Sequence, residues 1–350
     1  MRPEYTASVA DLGSSREVRA WNEFVLNEPD SVNYHQTRWL DVVERAFGHK
    51  VYPLWVRNDH EEVRGILPLV HIKSAIFGDS LTSVPFFNYG GVLAKDEAAA
   101  AGLTSKAEEL LGSTGADFVE LRHMGRRMER LPAKAHKVAM HLELPNDSEE
   151  LWSGFKAKVR NQVRKAEKSG LTASSGRHEL LDDFHRVFAR NMRDLGTPVY
   201  PRKFFATVLD MFPESARIFT VNHEEGCVAA GLGSWFKGSF EIPWASSIRE
   251  YNPLCPNNLL YWHMLRFACE NGCTRFDFGR STPNKGTYRF KKQWGARPVQ
   301  LYWQYLLPEG EGIPEVNPDN PKFDLAIRIW KRLPVFLTKL LGPHIVRSIP

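Results

Sequence analysis

Apolar and polar positions in the first half of the chain predict a hairpin, a helix and a further strand. Val51–Val56 and Val63–Ile72 are apolar runs separated by a short polar turn, which predicts two paired strands. A Gly-rich crossing follows at Asn88–Gly91, and the Ala-, Leu- and Glu-rich segment Asp96–Leu111 predicts a helix. Gly115–Arg122 then predicts a short strand that begins after a glycine helix stop.

The second half repeats this order. Ala216–Val221 and Cys227–Phe236 predict another hairpin, and Ser239–Ser246 predicts one more strand. A helix is predicted over Asn257–Asn271, and Gly272–Arg280 predicts the closing strand. The repeated order favours a duplicated domain, although chance similarity between two ordinary β-helix-β segments is the alternative.

The predicted fold class is mixed α/β, with two tandem duplicated domains that are each a mixed sheet flanked by helices. A length of 350 residues exceeds what one core usually supports. We predict an N-terminal domain over residues 1–146, a C-terminal domain carrying the active site over 147–310, and a loop with an amphipathic helical tail over 311–350. The tail could lie on a membrane surface or dock as a helix on the domain.

The charge of the chain is mildly basic and unevenly distributed. The net charge is +5, and Lys and Arg are concentrated in 122–137 and 156–168, which suits partners that carry phosphate. The N-terminus lacks the apolar region of a signal peptide, so we expect a cytoplasmic protein with peripheral contact to the inner membrane face as a further option. The four cysteines form no C-x-x-C pair, so free thiols and no metal are expected.

Two groups of residues could bind phosphate. Lys156, Arg160 and Arg164 recur every four residues in a predicted helix over Ser148–Ser169, so they share one face. They form a phosphate-binding stripe or an ordinary solvated face. Asn257 and Asn258 open a helix whose free N–H groups could bind an anion, although N-capping is the simpler explanation.

The segment D-F-G-R-S, which begins at Asp277, lies at the end of the closing strand. Strand ends of α/β domains collect ligands, so Arg280 and Ser281 are candidate substrate contacts. Asp277 could orient an attacking amine or accept its proton. The alternative is a structural ion pair of Asp277 with Arg280 or Arg275.

The segment that follows, Gly286–Gly295, mixes aromatic and basic residues. Lys291 could stabilise the oxyanion that develops in acyl transfer, and Tyr288 could donate a proton to a leaving group. The candidate substrate contacts of this segment are Arg289, Phe290 and Trp294. The alternative is an exposed basic loop in which Phe290 and Trp294 are core anchors.

In the first half, Pro85–Gly91 contains Tyr89 and could shape a substrate groove or form a tight strand crossing. The sequence has no G-x-x-x-x-G-K-[ST] loop, no G-x-S-x-G elbow and no H-E-x-x-H motif. A nucleotide hydrolase or a metalloprotease is therefore not expected.

Taken together, three motifs resemble the FemAB family. They are K-x-x-x-R-N-x-x-R-K-A-x-K-x-G at Lys156–Gly170, D-F-G-R-S at 277–281, and G-T-Y-R-F-K-K-Q-W-G at 286–295. The chain looks closer still to FemAB-related proteins of exosortase/PEP-CTERM exopolysaccharide systems, which share the segments at Leu67–Val70, Pro85–Gly91 and Val119–Arg122. The resemblance implies tandem GNAT-like acyltransferase domains and no metal. It also implies an active-site role for Lys291, since the family's F-K-x-x-[FW]-G segment matches 290–295.

The family's ligases transfer amino acids from aminoacyl-tRNA to a peptidoglycan precursor. The resemblance therefore implies acyl or aminoacyl transfer to an amine of a cell-envelope or exopolysaccharide precursor. It implies no cofactor, with aminoacyl-tRNA or acyl-CoA as co-substrate. The alternatives are a GNAT N-acyltransferase that uses acyl-CoA or acyl carrier protein, and a non-catalytic membrane-peripheral scaffold. The sequence lacks the helical-hairpin arm of several FemAB ligases, and Arg249–Asn258 replaces the coenzyme A loop of ordinary GNAT enzymes.

Overall fold

The computed structural model describes residues 5–74, 77–125, 128–314 and 324–349. These residues form two compact units. The first takes up the described parts of Met1–Lys137, Gln300–Val316 and Arg347–Pro350. The second takes up the described parts of Val138–Val299 and Asn317–Val346. The units differ from the predicted domains, because the boundary lies before residue 146 and part of the C-terminal region belongs to the first unit.

The thirteen strands are short to medium in length. They are β1 (Ala7–Val9), β2 (Lys50–Arg57), β3 (Val63–Ser74), β4 (Gly78–Ser83), β5 (Leu93–Ala94), β6 (Phe118–Met124), β7 (Ala133–Glu143), β8 (Thr172–Gly176), β9 (Ala216–His223), β10 (Gly226–Phe236), β11 (Ser239–Ser247), β12 (Arg275–Ser281) and β13 (Arg297–Leu306).

The α-helices of the described residues lie between these strands and at the C-terminal end. They are α1 (Ser15–Asn27), α2 (Thr37–Phe47), α3 (Glu97–Thr114), α4 (Ser148–Gly154), α5 (Ala157–Lys168), α6 (Leu181–Leu195), α7 (Arg202–Met211), α8 (Pro256–Glu270), α9 (Gly286–Gln293), α10 (Asp324–Trp330) and α11 (Val335–Val346).

The first unit is built on a mixed sheet with the strand order β1-β2-β3-β4-β6-β13, and β5 pairs with β3. Its neighbouring strands are antiparallel except β4 and β6, which run parallel. Helix α3 packs on this sheet through Leu103 and Ala107, which are fully buried. The side chain of Asp96 accepts a hydrogen bond from Ala99 N–H, so it caps α3 as its position in the sequence predicts.

The second unit repeats this arrangement with the strand order β8-β9-β10-β11-β12-β7. Only β11 and β12 are parallel, and helix α8 connects them. The last strand of each sheet comes from the other half of the chain, since β13 pairs with β6 and β7 pairs with β12. The predicted mixed α/β fold is confirmed, and the matching strand orders support duplication.

Two local predictions are wrong. The predicted helix over 148–169 is two helices, because the backbone of Phe155 is extended (φ −72°, ψ 146°) and Lys156 is the cap of α5. The segment 286–295 is not a loop, since residues 286–293 form α9. Hydrophobic burial explains both differences: Phe155 packs edge-on against Trp294, at 5.1 Å between ring centroids. Trp294 directly follows α9, so this contact fixes both segments against the core.

The C-terminal region after residue 323 forms α10 and α11. Helix α10 ends before Pro334, and α11 begins directly after it. Helix α11 docks on the second unit at Gly342, where a Cβ atom would lie 2.8 Å from the backbone nitrogen of Val199. One face of α11 is therefore docked on the domain, as the second of the two interpretations of the tail predicts. The loop predicted at the start of the region 311–350 falls partly outside the described residues. No helix in the described ranges has the length and apolar character needed to cross a bilayer.

Candidate active site

The candidate site lies in the second unit, where two parallel strands part. Strands β11 and β12 are paired from Ser239–Arg275 to Glu241–Asp277, which is three residue pairs. Both strands continue for several residues beyond Glu241 and Asp277. In α/β sheets, ligands collect at such places, outside the ends of strands that no longer pair.

Three titratable side chains stand in a row across this point. Asp277 is paired with Glu241 of β11 on one side and with His141 of β7 on the other. Directly paired residues project from the same face of a sheet, so the three side chains are neighbours. Asp277 is fully buried, and its Oδ2 lies 3.2 Å from His141 Nε2. Phe276 and Phe278 point to the opposite face and fill the hydrophobic core.

The carboxylate of Asp277 also shapes the end of its strand. Its Oδ1 accepts a hydrogen bond from Gly279 N–H at 2.7 Å. Gly279 has a left-handed backbone (φ 75°), and the register between β12 and β7 shifts between Asp277 and Arg280. This is a β-bulge, a feature that re-aims side chains and is frequent next to active sites. Arg280, which follows the bulge, is exposed.

Helix α9 places Lys291 against this bulge. The Nζ atom donates hydrogen bonds to the carbonyl oxygens of Gly279 and Arg280, each at 3.0 Å. Burial lowers the pKa of Lys291 to about 8, an effect that Asp277 and Glu241 oppose and Arg280 reinforces. An ammonium has three donors, so one N–H remains for another acceptor.

Two further polar atoms at this end of the unit are buried without a partner. Ser281 Oγ and Trp294 Nε1 have no hydrogen-bond partner in the part of the chain that the structure describes. Buried polar groups are normally paired, so an unpaired one in a native protein marks a position for a water or a ligand. With the remaining donor of Lys291, they give the site three polar atoms that a substrate could contact.

The other residues of α9 divide between surface and core. Arg289 is exposed, and Tyr288 is half-buried beneath Lys292, whose Nζ lies 5.9 Å from the Tyr288 ring centroid. Phe290 packs edge-on against Tyr261 at 5.1 Å. The interpretation of Phe290 and Trp294 as core anchors therefore describes their position, and their contacts with a substrate remain predictions.

The predicted phosphate-binding residues lie on α5 and α8. The side chain of Asn258 donates a hydrogen bond to Gln162 Oε1 at 3.3 Å, so the first turn of α8 lies beside the middle of α5. Two residues along a helix correspond to about 200° of rotation, so Arg160 and Arg164 point away from this contact. The face of Gln162 instead carries Lys158 and Lys165, because residues three or four apart share a face.

The three residues of the predicted stripe differ in accessibility, because Arg160 is half-buried. Lys156 and Arg164 are exposed, and the Arg164 guanidinium lies 5.7 Å from the Trp152 ring centroid. Helix α8 is not capped by an asparagine, because Cys255 occupies the cap position without a side-chain hydrogen bond. Asn257 and Asn258 therefore lie inside the first turn, and capping does not explain them.

Tyr89 belongs to the first unit, whereas the residues described above belong to the second unit. It is 5% exposed and packs edge-on against Tyr34 at 5.9 Å. A Cβ atom on Gly91 would lie 2.4 Å from His123 Nε2, and one on Gly90 would lie 2.6 Å from Val84 Cγ2. These close approaches favour a tight crossing for this segment, while substrate binding by Tyr89 remains a prediction.

Sequence reasoning missed two members of the row, Glu241 and His141. Glu241 had a local signal, since it is an acid between Phe240 and Ile242 in an otherwise apolar strand. His141 had none, because it reaches Asp277 only through pairing between strands far apart in sequence. Across the ranges 5–74, 77–125, 128–314 and 324–349, no group of three His, Cys, Asp or Glu side chains is suited to hold a metal ion.

Part of this chain, which includes most of the candidate site, is similar to known proteins. Residues 153–292 match the model of the acetyltransferase (GNAT) domain. A lipid II:glycine glycyltransferase of Staphylococcus aureus is 28% identical over 117 residues, which are 30% of this chain and 28% of that relative. The chain thus spans less than a third of the length of that protein.

Solved structures extend the likeness in fold to most of the chain. A crystal structure of FemX has a TM-score of 0.63 at 16% identity and covers 82% of this chain and 95% of its own. A tandem GNAT protein from the clavulanic acid biosynthesis pathway has a TM-score of 0.54 at 13% identity, with coverages of 86% and 97%. The predicted GNAT-like fold is therefore confirmed: residues 153–292 match the acetyltransferase (GNAT) domain, a lipid II:glycine glycyltransferase is similar in sequence over part of the chain, and FemX is similar in fold.

Proposed function

We propose that this chain is an acyltransferase that moves an aminoacyl or acyl group onto an amine of a cell-envelope or exopolysaccharide precursor. The observation that carries the proposal is the site of the GNAT domain. There, the buried ammonium of Lys291 lies against a bulge held by Asp277, where two parallel strands part. The glycyltransferase relative supports the aminoacyl form of the reaction.

The reaction has a simple balance of bonds. The amine nitrogen of the acceptor forms a bond to the acyl carbon of the donor, and the ester C–O or thioester C–S bond breaks. Negative charge develops on the carbonyl oxygen in the tetrahedral intermediate. The remaining N–H of Lys291 is the donor that meets this charge, and its position is already fixed by two carbonyl contacts.

The proton of the amine needs an acceptor. The pair Asp277–His141 is suited to this, because its inner member is fully buried whereas the His141 side chain is 11% exposed and forms the outer end. Tyr288, half-buried on α9, is the candidate that returns a proton to the leaving hydroxyl or thiol. The two oxygens of Asp277 have different neighbours: Oδ1 accepts the hydrogen bond of Gly279 N–H, and Oδ2 lies 3.2 Å from His141 Nε2.

The donor is proposed to be held through its phosphates. Lys156 and Arg164 are exposed on one side of α5, and Lys158 and Lys165 lie on the side that faces the first turn of α8. Aminoacyl-tRNA and acyl-CoA both carry phosphates that such cations bind. Binding of tRNA through several phosphates should weaken steeply with salt, which separates the two donors.

A peripheral membrane contact is the last part of the proposal. Helices α10 and α11 expose five large apolar side chains by 45–68% of their area, namely Leu325, Ile329, Phe336, Leu340 and Leu341. Basic residues lie between them, at Arg328, Lys331, Arg332 and Lys339. Apolar residues mixed with basic ones suit the surface of an anionic membrane, which is where envelope precursors linked to lipid are found.

Transfer of radiolabel tests the proposed function. The purified chain is incubated with [14C]glycyl-tRNA or [14C]acetyl-CoA and an amine-bearing precursor, and labelled product is counted. Lys291→Ala should lower transfer by about 100-fold or more, the usual cost of losing an oxyanion donor. Lys292→Ala is the matched control, since Lys292 is the exposed neighbour with the same charge. Full transfer by Lys291→Ala would refute the assigned role of Lys291.

A GNAT N-acyltransferase that uses acyl-CoA or acyl carrier protein is the second candidate. It is favoured by the first turn of α8, which has no side-chain cap and whose backbone N–H groups suit a pyrophosphate. Stabilisation of the chain by coenzyme A in a thermal melt would select it over aminoacyl transfer. Absence of turnover with every donor, together with vesicle binding lost on truncation after residue 321, would instead indicate a membrane-peripheral scaffold.

A further inference from the structure

The first unit contains a cleft of about 450 Å³ that has no part in the transfer site. Its walls come from β2, from β3, from the C-terminal ends of α2 and α3, and from Arg347, which follows α11. The volume falls within the range of about 300–1,000 Å³ that is usual for small-molecule sites. The chemistry of its walls is dominated by cations.

Four of the lining side chains project from one face of two neighbouring strands. Lys50 of β2 is directly paired with His71 of β3, so the two side chains share a face. Tyr52 and Lys73 lie two residues further along their strands and therefore point the same way. The sequence pattern of alternating polar residues at the ends of these strands thus builds a small basic surface.

Arg347 adds a third permanent cation from a distant part of the sequence. Its carbonyl oxygen lies 2.8 Å from His49 Nε2, which fixes the backbone of Arg347 at the cleft. Burial lowers the pKa of His49, the hydrogen bond to the Arg347 carbonyl opposes this shift, and the positive charge of Arg347 adds to it. The imidazole of His49 is thus kept neutral beside these cations.

The negative groups around the cleft do not neutralise it. In the described parts of the chain, no carboxylate lies within 4.0 Å of the charged atoms of Lys50, Lys73 or Arg347. Asp79 of β4 is directly paired with Lys73 of β3, and its carboxylate is in contact with His71. The ends of α2 and α3 contribute roughly half a negative charge each, which is less than the charge of the three cations.

We propose that this cleft binds a small phosphorylated molecule, with its phosphate held between Lys50, Lys73 and Arg347. Phosphate carries the charge that three cations without carboxylate partners would neutralise. The Lys50 Nζ lies 4.9 Å from the Tyr52 ring centroid, so the tyrosine ring borders the phosphate position and offers an apolar wall for the rest of the molecule. The proposal depends only on the first unit and stands or falls separately from the proposed transfer reaction.

Isothermal titration of the full chain with sodium pyrophosphate tests the proposal. Saturable binding is expected, and it should weaken as salt is raised from 50 to 300 mM. The double variant Lys50→Ala/Lys73→Ala should weaken binding by about 100-fold, because each lysine supplies one charge-assisted contact worth about tenfold. The matched control is Lys106→Ala, whose lysine lies on α3 and pairs with Glu109.

The source of the phosphate is decided by a second arm. Vesicles of phosphatidylglycerol are compared with phosphatidylcholine vesicles in a sedimentation assay. Vesicle binding that is unchanged in the double variant assigns the cleft to a free phosphate ester, and loss of vesicle binding assigns it to a lipid headgroup. Absence of pyrophosphate binding by the parent protein, or equal binding by the double variant with an unchanged melting temperature, would overturn the proposal.

Discussion

The buried ammonium of Lys291 makes a prediction about stability that can be worked out from its surroundings. In the folded chain the pKa of Lys291 is about 8, because burial disfavours the charged form, whereas the ordinary value is 10.5. The substitution Lys291→Met removes the ionisable group and keeps an unbranched side chain of similar length. The difference in stability between the parent protein and the variant therefore reports the protonation of this one amine.

The sign follows from which state binds that proton. Between about pH 8 and 10.5 the amine is protonated in the unfolded chain and neutral in the folded chain. The unfolded state then binds more protons, so the free energy of unfolding rises with pH, relative to the variant. The two pKa values differ by about 2.5 pH units, which corresponds to about 3 kcal/mol over the full interval. Below about pH 7 the difference should be flat.

Urea unfolding at steps from pH 7 to 10.5 measures this effect. Tyrosines, cysteines and other lysines also titrate in this range, but they are common to both proteins and cancel in the difference. Lys292→Met is the matched control, and because Lys292 is exposed, its difference from the parent protein should stay constant with pH. A constant difference for Lys291→Met as well would show that Lys291 is not desolvated. The description of the site as containing a buried ammonium would then be wrong.

Three further outcomes follow from the same site. Asp277→Asn keeps an oxygen for Gly279 N–H but removes the charge, so transfer should fall by about 100-fold or more while the melting temperature changes little; an equal loss of both would indicate a purely structural carboxylate. Gly279→Ala should cost about 1–2 kcal/mol in urea unfolding because of its left-handed backbone, whereas Gly286→Ala, which meets no atom within 4 Å, should be neutral. The transfer rate should decrease as pH rises through about 8, where Lys291 loses its proton; a rate that increases there would indicate that the neutral amine is the active form.

The sequence predicts elements with strong local signals. Helix α3 begins after its Asp96 cap, close to the predicted start, and both ends of α8 lie within one residue of the predicted Asn257–Asn271. The hairpin strands are found within two residues of their predicted ends. In these elements the apolar period and the turn residues agree with the tertiary packing, so local reasoning is sufficient.

Elements fixed by distant contacts could not be predicted in this way. Strand β7 carries alternating charges, and its place beside β12 depends on a partner more than a hundred residues away. The break between α4 and α5 follows from the burial of Phe155 against Trp262 and Trp294, although Gly154 gave a weak local signal. For the same reason Asp277 was recognised from its motif, whereas the row that it forms with Glu241 and His141 was not.

The duplicated fold allows the proposed site in the second unit to be compared with the corresponding position in the first unit. The parallel pair β4–β6 ends at Thr82–Glu120, as β11–β12 ends at Glu241–Asp277, so Glu120 and Asp277 occupy corresponding positions.

In the first unit Glu120 accepts hydrogen bonds from Arg122 Nε at 2.8 Å and from Tyr305 Oη at 2.9 Å. The guanidinium of Arg122 is itself buried and lies 4.7 Å from the Trp303 ring centroid. A carboxylate held by a permanent cation of this kind is expensive to disturb and poorly suited to exchange protons. In the second unit the corresponding arginine, Arg280, is exposed beyond the Gly279 bulge, and Lys291 Nζ donates hydrogen bonds to the carbonyl oxygens of Gly279 and Arg280. The bulge therefore distinguishes the structural ion pair of the first unit from the site that we propose for acyl transfer.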